Sequence, residues 1–108
     1  MRKTETIRDL NDQFRRSFIG GRVVMTQGVD ALPPEAQSDL MVRVQRFNDF
    51  CADNDPHGEH DFGKIELQGN AFFWKIDYYD TELKYGSENP ADPDLTIRVL
   101  TIMLAEEY

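Results

Sequence analysis

A chain of 108 residues, 40% apolar and 30% charged, is long enough for one hydrophobic core and too short for a second, so a single domain over residues 1–108 is expected. Residues 1–52 carry eight Lys or Arg against seven Asp or Glu, and residues 53–108 carry four against thirteen, so the formal net charge of −8 divides into +1 and −9. The acidic half repels a phosphate backbone: direct nucleic-acid binding is not expected, whereas a basic protein surface is a fitting partner.

No apolar run approaches the length of a membrane span, and the opening MRKTETIRDL lacks the apolar segment of a secretion signal, so a cytoplasmic location without membrane contact is expected. The single cysteine, Cys51, has no partner for an internal disulfide and reads as a small core residue of a protein in a reducing compartment.

In chain order, Ile7, Leu10, Phe14 and Phe18 recur at helical steps, predicting a helix from Thr4 to about Phe18 that Gly20-Gly21 stops. Arg8, Arg15 and Arg16 of that helix, with Arg22, are spread too widely for a phosphate track and read as solvated. Arg22–Thr26 is β-rich and predicts a short strand closed by Gly28. Pro33-Pro34 opens a second helix through about Cys51, with Leu40, Val44, Phe47 and Cys51 as its apolar stripe.

Asp53–Gly63 is a polar break. Beyond it, Lys64–Gln68 and the alternating Phe72, Trp74, Ile76 and Tyr78 predict a hairpin turned at Gly69-Asn70, whose other face carries Phe73, Lys75, Asp77 and Tyr79. A polar connection, DTELKYGSENPADPD, follows, with Leu83 and Tyr85 expected to pin it to the body. Asp92 as N-cap and Pro93 at the first helical position then predict a last helix to Tyr108, apolar enough on several faces (Ile97, Leu100, Leu104) to be central or to support self-association. The order α-β-α-β-β-α predicts an α+β domain with a small, mostly antiparallel sheet packed against helices.

The stretch DPHGEHDFG holds the densest ionisable cluster. His57, Glu59, His60 and Asp61, with Asp77 from the neighbouring strand, have the donor types of a zinc, iron or manganese site, but no HExxH or cysteine-pair spacing supports one. His60 oriented by Asp61, Glu59 or Asp77 could move a proton, yet no serine lies in a nucleophile elbow and no phosphate loop accompanies it. A turn in which these side chains cap backbone groups accounts for the same residues without chemistry.

Three blocks, DNDPHGEHDFG at 53–63, FWKIDYYD at 73–80 and ADPDLTIRVLTIMLAEEY at 91–108, resemble the hallmark segments of an uncharacterised bacterial domain-of-unknown-function family found on plasmids and other mobile elements, and IRDLNDQFRR with GRVVMTQGV extends the resemblance over nearly the whole chain. The resemblance implies no catalytic residue or cofactor. It implies a setting in which small acidic proteins counter host defences by occupying nucleic-acid-binding surfaces. The expected function is a non-enzymatic acidic interaction protein, an inhibitor of a host nucleic-acid-handling or defence protein, with Asp55, Glu59, Asp61, Glu82, Glu88, Asp92 and Asp94 supplying charge and Tyr79 or Tyr85 an aromatic anchor. The alternative is a small metal-dependent or acid–base hydrolase built on His57, Glu59, His60, Asp61 and Asp77.

Overall fold

The computed structural model describes residues 2–108. Helix α1 spans Lys3–Ser17, strand β1 Gly21–Met25, a single helical turn α2 Gln27–Asp30, helix α3 Pro34–Gln45, strands β2 Phe62–Leu67, β3 Asn70–Tyr79 and β4 Ile97–Leu104, and a closing 3-10 turn Ala105–Glu107. The four strands form one sheet in the order β1-β4-β3-β2, with β1 parallel to β4 and the other two pairings antiparallel. Fold class is therefore α+β, with a mixed sheet and its helices forming one small domain.

The first helix and the strand after it follow from local chemistry. Phe18 takes a left-handed conformation (φ 59°) and its N–H closes on the Phe14 carbonyl at 2.6 Å, ending α1 two residues before the glycine pair. Helix α3 begins at Pro34, where a missing N–H costs nothing, and buries Ala36, Leu40 and Val44. It stops at Gln45, short of the expected Cys51. Phe47 and Phe50 pack in an extended segment instead, edge to face with one another at 5.0 Å and with Trp74 at 5.4 and 6.1 Å, and Cys51 is exposed where a core position was expected.

The hairpin turns one residue earlier than the sequence suggests. Leu67 pairs with Asn70, leaving Gln68 (φ 52°) and Gly69 (φ 81°) as the two left-handed residues of the turn. Alternation then sends Ile65, Leu67, Phe72, Trp74 and Ile76 to one face, where they meet Leu100 and Ile102 of β4 and Phe14, Val29, Leu40 and Val44 of the helical layer.

The largest correction concerns the C-terminus. Ile97–Leu104 is the strand β4, central in the sheet, where a helix was expected, and only Ala105–Glu107 is helical, as one 3-10 turn. Thr96, Ile97, Val99, Thr101 and Ile102 are β-branched, which favours a pleated strand and crowds a helix. Asp92 accepts the Asp94 N–H at 2.9 Å, so the apparent helix cap forms a local turn. A C-terminal helix for self-association is thus replaced by a strand whose Leu100 and Ile102 are wholly buried. The 3-10 turn has its own anchor: Glu107 accepts from the Thr26 hydroxyl, from Gly28 N–H at 2.9 Å and from Leu104 N–H at 2.8 Å, holding its carboxyl below the usual range.

Trp74 lies at the centre of the core and packs against the bare backbone of Gly63, where an added Cβ would meet the indole ring and Phe47 at under 3 Å. Gly63→Ala should lower the unfolding free energy by about 1–3 kcal/mol in urea titration, through overpacking; an unchanged midpoint would show that the indole can shift freely.

Candidate functional site

Three polar side chains project from the inner face of α1, where helical spacing from Ile7 and Phe14 places Asn11, and the next positions are Asp12 and Arg15. Asn11 is fully buried. Its Nδ2 donates to the Glu59 carbonyl at 3.0 Å and to the Tyr78 hydroxyl at 2.8 Å, and its Oδ1 accepts from Arg98 Nε at 2.7 Å. The Tyr78 hydroxyl in turn donates to Glu59 Oε1 at 2.7 Å. Arg98, buried on β4, donates from Nη2 to the Pro90 carbonyl at 2.6 Å and lies 5.2 Å from the Tyr78 ring centre. Every polar atom of Asn11 is used, and four segments meet there.

A second cluster lies beside it. Asp12 Oδ1 accepts from Arg15 Nη1 at 2.9 Å and faces His60 Nδ1 at 3.0 Å, while Arg15 Nη2 donates to the Phe47 carbonyl at 2.9 Å. The guanidinium stands 5.3 Å from the Phe50 ring and 5.2 Å from that of Trp74. His60 stacks flat on Phe50 with centroids 3.7 Å apart. Its backbone is left-handed (φ 55°), a conformation that costs free energy in a residue with a Cβ, and its N–H is held by Asp55 Oδ1 at 3.0 Å. Arg15 is 1% exposed, which corrects its reading as part of a solvated arginine face.

These contacts set the electrostatics. Burial raises the Asp12 carboxyl, but the hydrogen bonds from Arg15 and His60 outweigh it, leaving Asp12 below its ordinary value. Burial and the hydrogen bond to Glu59 push the Tyr78 hydroxyl strongly upward, so it remains a neutral donor. Burial lowers both Arg15 and Arg98 from the usual arginine value. Asp61 is pushed up by burial and then by the nearby charges of Glu59 and Asp55.

The five residues considered for metal or acid–base chemistry are divided by this arrangement. Glu59 turns to Tyr78, and His60 lies between Asp12 and Asp55. His57, Asp61 and Asp77 line a shallow cleft of about 290 Å³ with Lys75 and Tyr108, in which Lys75 pairs with Asp77 at 3.0 Å. Among the described residues, no three His, Cys, Asp or Glu side chains are grouped to hold a metal ion. Beside the cleft, Phe62, Phe73 and Tyr108 form an aromatic cluster with centroids 5.0–5.9 Å apart.

The surface acids are distributed differently from expectation. The Asp55 side chain is 6% exposed, Glu59 is committed to Tyr78, and Asp61 is half-buried, so none of the three stands free on the surface. Glu82, Glu88 and Asp94 are exposed, with Asp92 half-exposed, all in the 80–95 connection. Tyr79 bridges to Gly86 and is half-buried; Tyr85 is 74% exposed. No motif in the sequence marks Asn11, Asp12 or Arg98 as a site residue, and Arg15 reads there only as one of the solvated arginines. A polar residue on the apolar stripe of α1 and an arginine in step with Leu100 and Ile102 were the available signals.

The DUF3768 family, described as a protein of unknown function, matches residues 25–107. The chain belongs to this family. The match spans the corner, the hairpin, the connection and β4, and so takes in every site element except α1. No curated protein and no solved structure matches the chain. None of the helices among the described residues of this DUF3768 member is long and apolar enough to cross a membrane.

Two predictions follow from the buried network. Asn11→Ala leaves the Arg98 Nε and the Glu59 carbonyl without their partner and removes the donor to the Tyr78 hydroxyl, which keeps its bond to Glu59, and should cost about 2–3 kcal/mol in urea unfolding; a loss below about 0.5 kcal/mol, the scale of an ordinary surface change, would contradict it. The carboxyls give a pH signature. Asp12, depressed in the fold, stabilises above its ordinary 3.8, and that contribution is lost as pH falls through its lower folded value. Asp61, raised, has the opposite sign: its contribution is full below 3.8 and is lost as pH rises through its folded value. Asp61→Asn should therefore raise Tm at pH 7 and Asp12→Asn lower it, the Asp61 difference fading as pH falls to 3.8 and the Asp12 difference persisting to lower pH; thermal melts with the signs reversed would refute the assignment.

Proposed function

We propose that this DUF3768 protein is a non-enzymatic acidic interaction domain that docks on a basic protein surface through its 80–95 connection. The observation that carries the reading is Tyr85, 74% exposed in a loop that hydrogen bonds hold in one shape. Asp80 N–H closes on the Tyr85 carbonyl at 2.8 Å, Ser87 N–H on Tyr78 at 3.0 Å, and the Ser87 and Thr96 hydroxyls meet at 2.6 Å. Such a loop loses little entropy on binding.

The chemistry of the loop names its partner. Asp80, Glu82, Glu88, Asp92 and Asp94 against Lys84 give it a net charge of −4. Leu95, 45% exposed, lines one cleft with Tyr85 and gives it an apolar centre within that acidic rim, the arrangement in which an aromatic anchor supplies affinity and the charges steer approach. A cleft of about 310 Å³, lined by Asp80, Thr81, Tyr85, Gly86, Glu88 and Leu95, accepts an arginine or lysine side chain, its stem on Tyr85 and its head toward Asp80 or Glu88. The partner we assign is a host nucleic-acid-handling or defence protein whose basic surface the loop occupies in place of nucleic acid. The sequence blocks that resemble a family of plasmids and other mobile elements support this setting. The hydrolase alternative has less behind it, because His60, the ring best placed to move a proton, faces Asp12 and Asp55.

Pull-down from a native host, with the retained proteins identified, should recover a basic nucleic-acid-handling protein. Its binding should weaken at about 0.5 M salt, be competed by nucleic acid, and fall at least about tenfold in Tyr85→Ala. Binding indifferent to salt, nucleic acid and Tyr85→Ala would overturn the proposal.

A further inference from the structure

Strand β2 forms one edge of the sheet, and its free side has a definite chemistry. Ile76 N–H donates to the Asp61 carbonyl at 2.9 Å, so Asp61 and Ile76 are a hydrogen-bonded pair. Alternation along an antiparallel ladder then puts Gly63, Ile65 and Leu67 in the same kind of pair with β3, and turns the backbone N–H and C=O groups of Phe62, Lys64 and Glu66 outward. Among the described residues no hydrogen bond reaches these outward groups. Lys64 and Glu66 themselves are 55% and 77% exposed.

We infer that this edge pairs with the same edge of a second copy, giving a closed dimer with one continuous eight-stranded sheet. The register follows from charge. Two outward residues must face each other for their backbones to bond, so the options set Phe62 against Phe62, Phe62 against Lys64, Lys64 against Lys64, Glu66 against Glu66, or Lys64 against Glu66 of the second copy. Only the last opposes unlike charges, and the two-fold axis then gives the pair twice, with Ile65 of each copy meeting on the axis. Both opposed pairs lie on the sheet face away from the helices.

The helical layer agrees with the same axis. Helix α3 lies beside β2, and a groove of about 490 Å³ between them is lined by Asp39, Val42, Arg43 and Arg46 together with the edge. An axis perpendicular to the sheet sets α3 antiparallel to its copy. Asp39, at mid-helix and paired with Arg43 of its own chain at 3.4 Å, is then brought toward the Arg43 and Arg46 end of the second helix, and Val42, 42% exposed, sits near the axis. The opposite edge of the sheet lacks this property: the side chains on the corresponding face of β1 are Arg22 and Val24, and no two-fold register gives Arg22 an unlike charge on that strand. Charged residues on an edge strand commonly discourage pairing, but an alternating Lys and Glu discourages the registers that oppose like charges and favours the one that matches them. The dimer is independent of the 80–95 loop, which lies at the end of β3 away from the hairpin.

Sedimentation of the whole protein from about 1 µM to about 500 µM tests it. The expected result is a concentration-dependent rise from 12.5 kDa to twice that mass and no further. Lys64→Glu and Glu66→Lys each set like charges together at both pairs and should weaken the dimer about tenfold, while the exchanged double variant returns to within about threefold of wild type. Lys64→Pro removes an outward N–H while sparing the ladder to β3, and should give a monomer with unchanged near-ultraviolet circular dichroism. A wild-type protein at 12.5 kDa throughout, assembly beyond two copies, or an exchanged double variant no stronger than the single ones would overturn the inference. The exchange decides the matter even if the proline variant fails to fold.

Discussion

The buried guanidinium of Arg98 is the constraint around which this domain is organised. A cation placed in the interior at β4 must have its donors satisfied or it destabilises the fold by several kcal/mol. Asn11 and the Pro90 carbonyl supply the partners, and the Tyr78 ring covers the cation. Each partner comes from a different part of the chain, so satisfying one charge fixes α1 against the sheet, the connection against β4, and β3 against both. Asn11 then extends the network to Glu59, which is how the corner at 55–61 acquires its shape. Among the described residues no carboxylate pairs directly with Arg98. Glu59 reaches it only through the Tyr78 hydroxyl and Asn11, an arrangement that fixes direction more strictly than a plain ion pair would.

This network separates the acidic residues into two populations. Of the corner acids, Asp55 turns toward His60 and Glu59 toward Tyr78, where they hold the fold, while the half-buried Asp61 has its ionised form opposed by burial and by those two neighbours. Those of the 80–95 connection face outward around Tyr85. The connection is anchored at both ends by the same network, through Pro90 to Arg98 and through the bridge of Tyr79 to Gly86. Its rigidity and its exposure therefore have a common origin. The GEHD corner, dense in titratable groups, serves as a strut behind the surface that carries the proposed binding function.

The sequence discloses the fold where side-chain spacing has a single meaning. Alternation at Phe72, Trp74, Ile76 and Tyr78, and the three- and four-residue steps at Ile7, Phe14 and Phe18, specify their elements, and α+β follows from them. It misleads where two local signals conflict. Asp92-Pro93 resembles a helix start, and the apolar run beyond it is compatible with either period; the β-branched content of Thr96–Ile102 and the step of two from Arg98 to Leu100 and Ile102 favour the strand, and the sheet settles it by giving β4 neighbours on both sides. The candidate site was half legible. Its acids and histidines stand out by type, whereas Asn11, Asp12, Arg15 and Arg98 acquire meaning only from residues 32–87 positions away in the chain. Which acids face inward depends on those distant partners, so Asp55, Glu59 and Asp61 could not be told from Glu82 or Glu88 by composition.

A double-mutant cycle between Asn11→Ala and Arg98→Met addresses the central claim most directly, because both residues lie in the interior and their contact joins elements far apart in sequence. If the Asn11–Arg98 contact organises the fold, the two losses in unfolding free energy should fall short of additivity by about 1–3 kcal/mol. Losses that add to within about 0.5 kcal/mol would show that the two residues act separately, and would remove the common cause assigned here to the corner, the connection and the packing of α1.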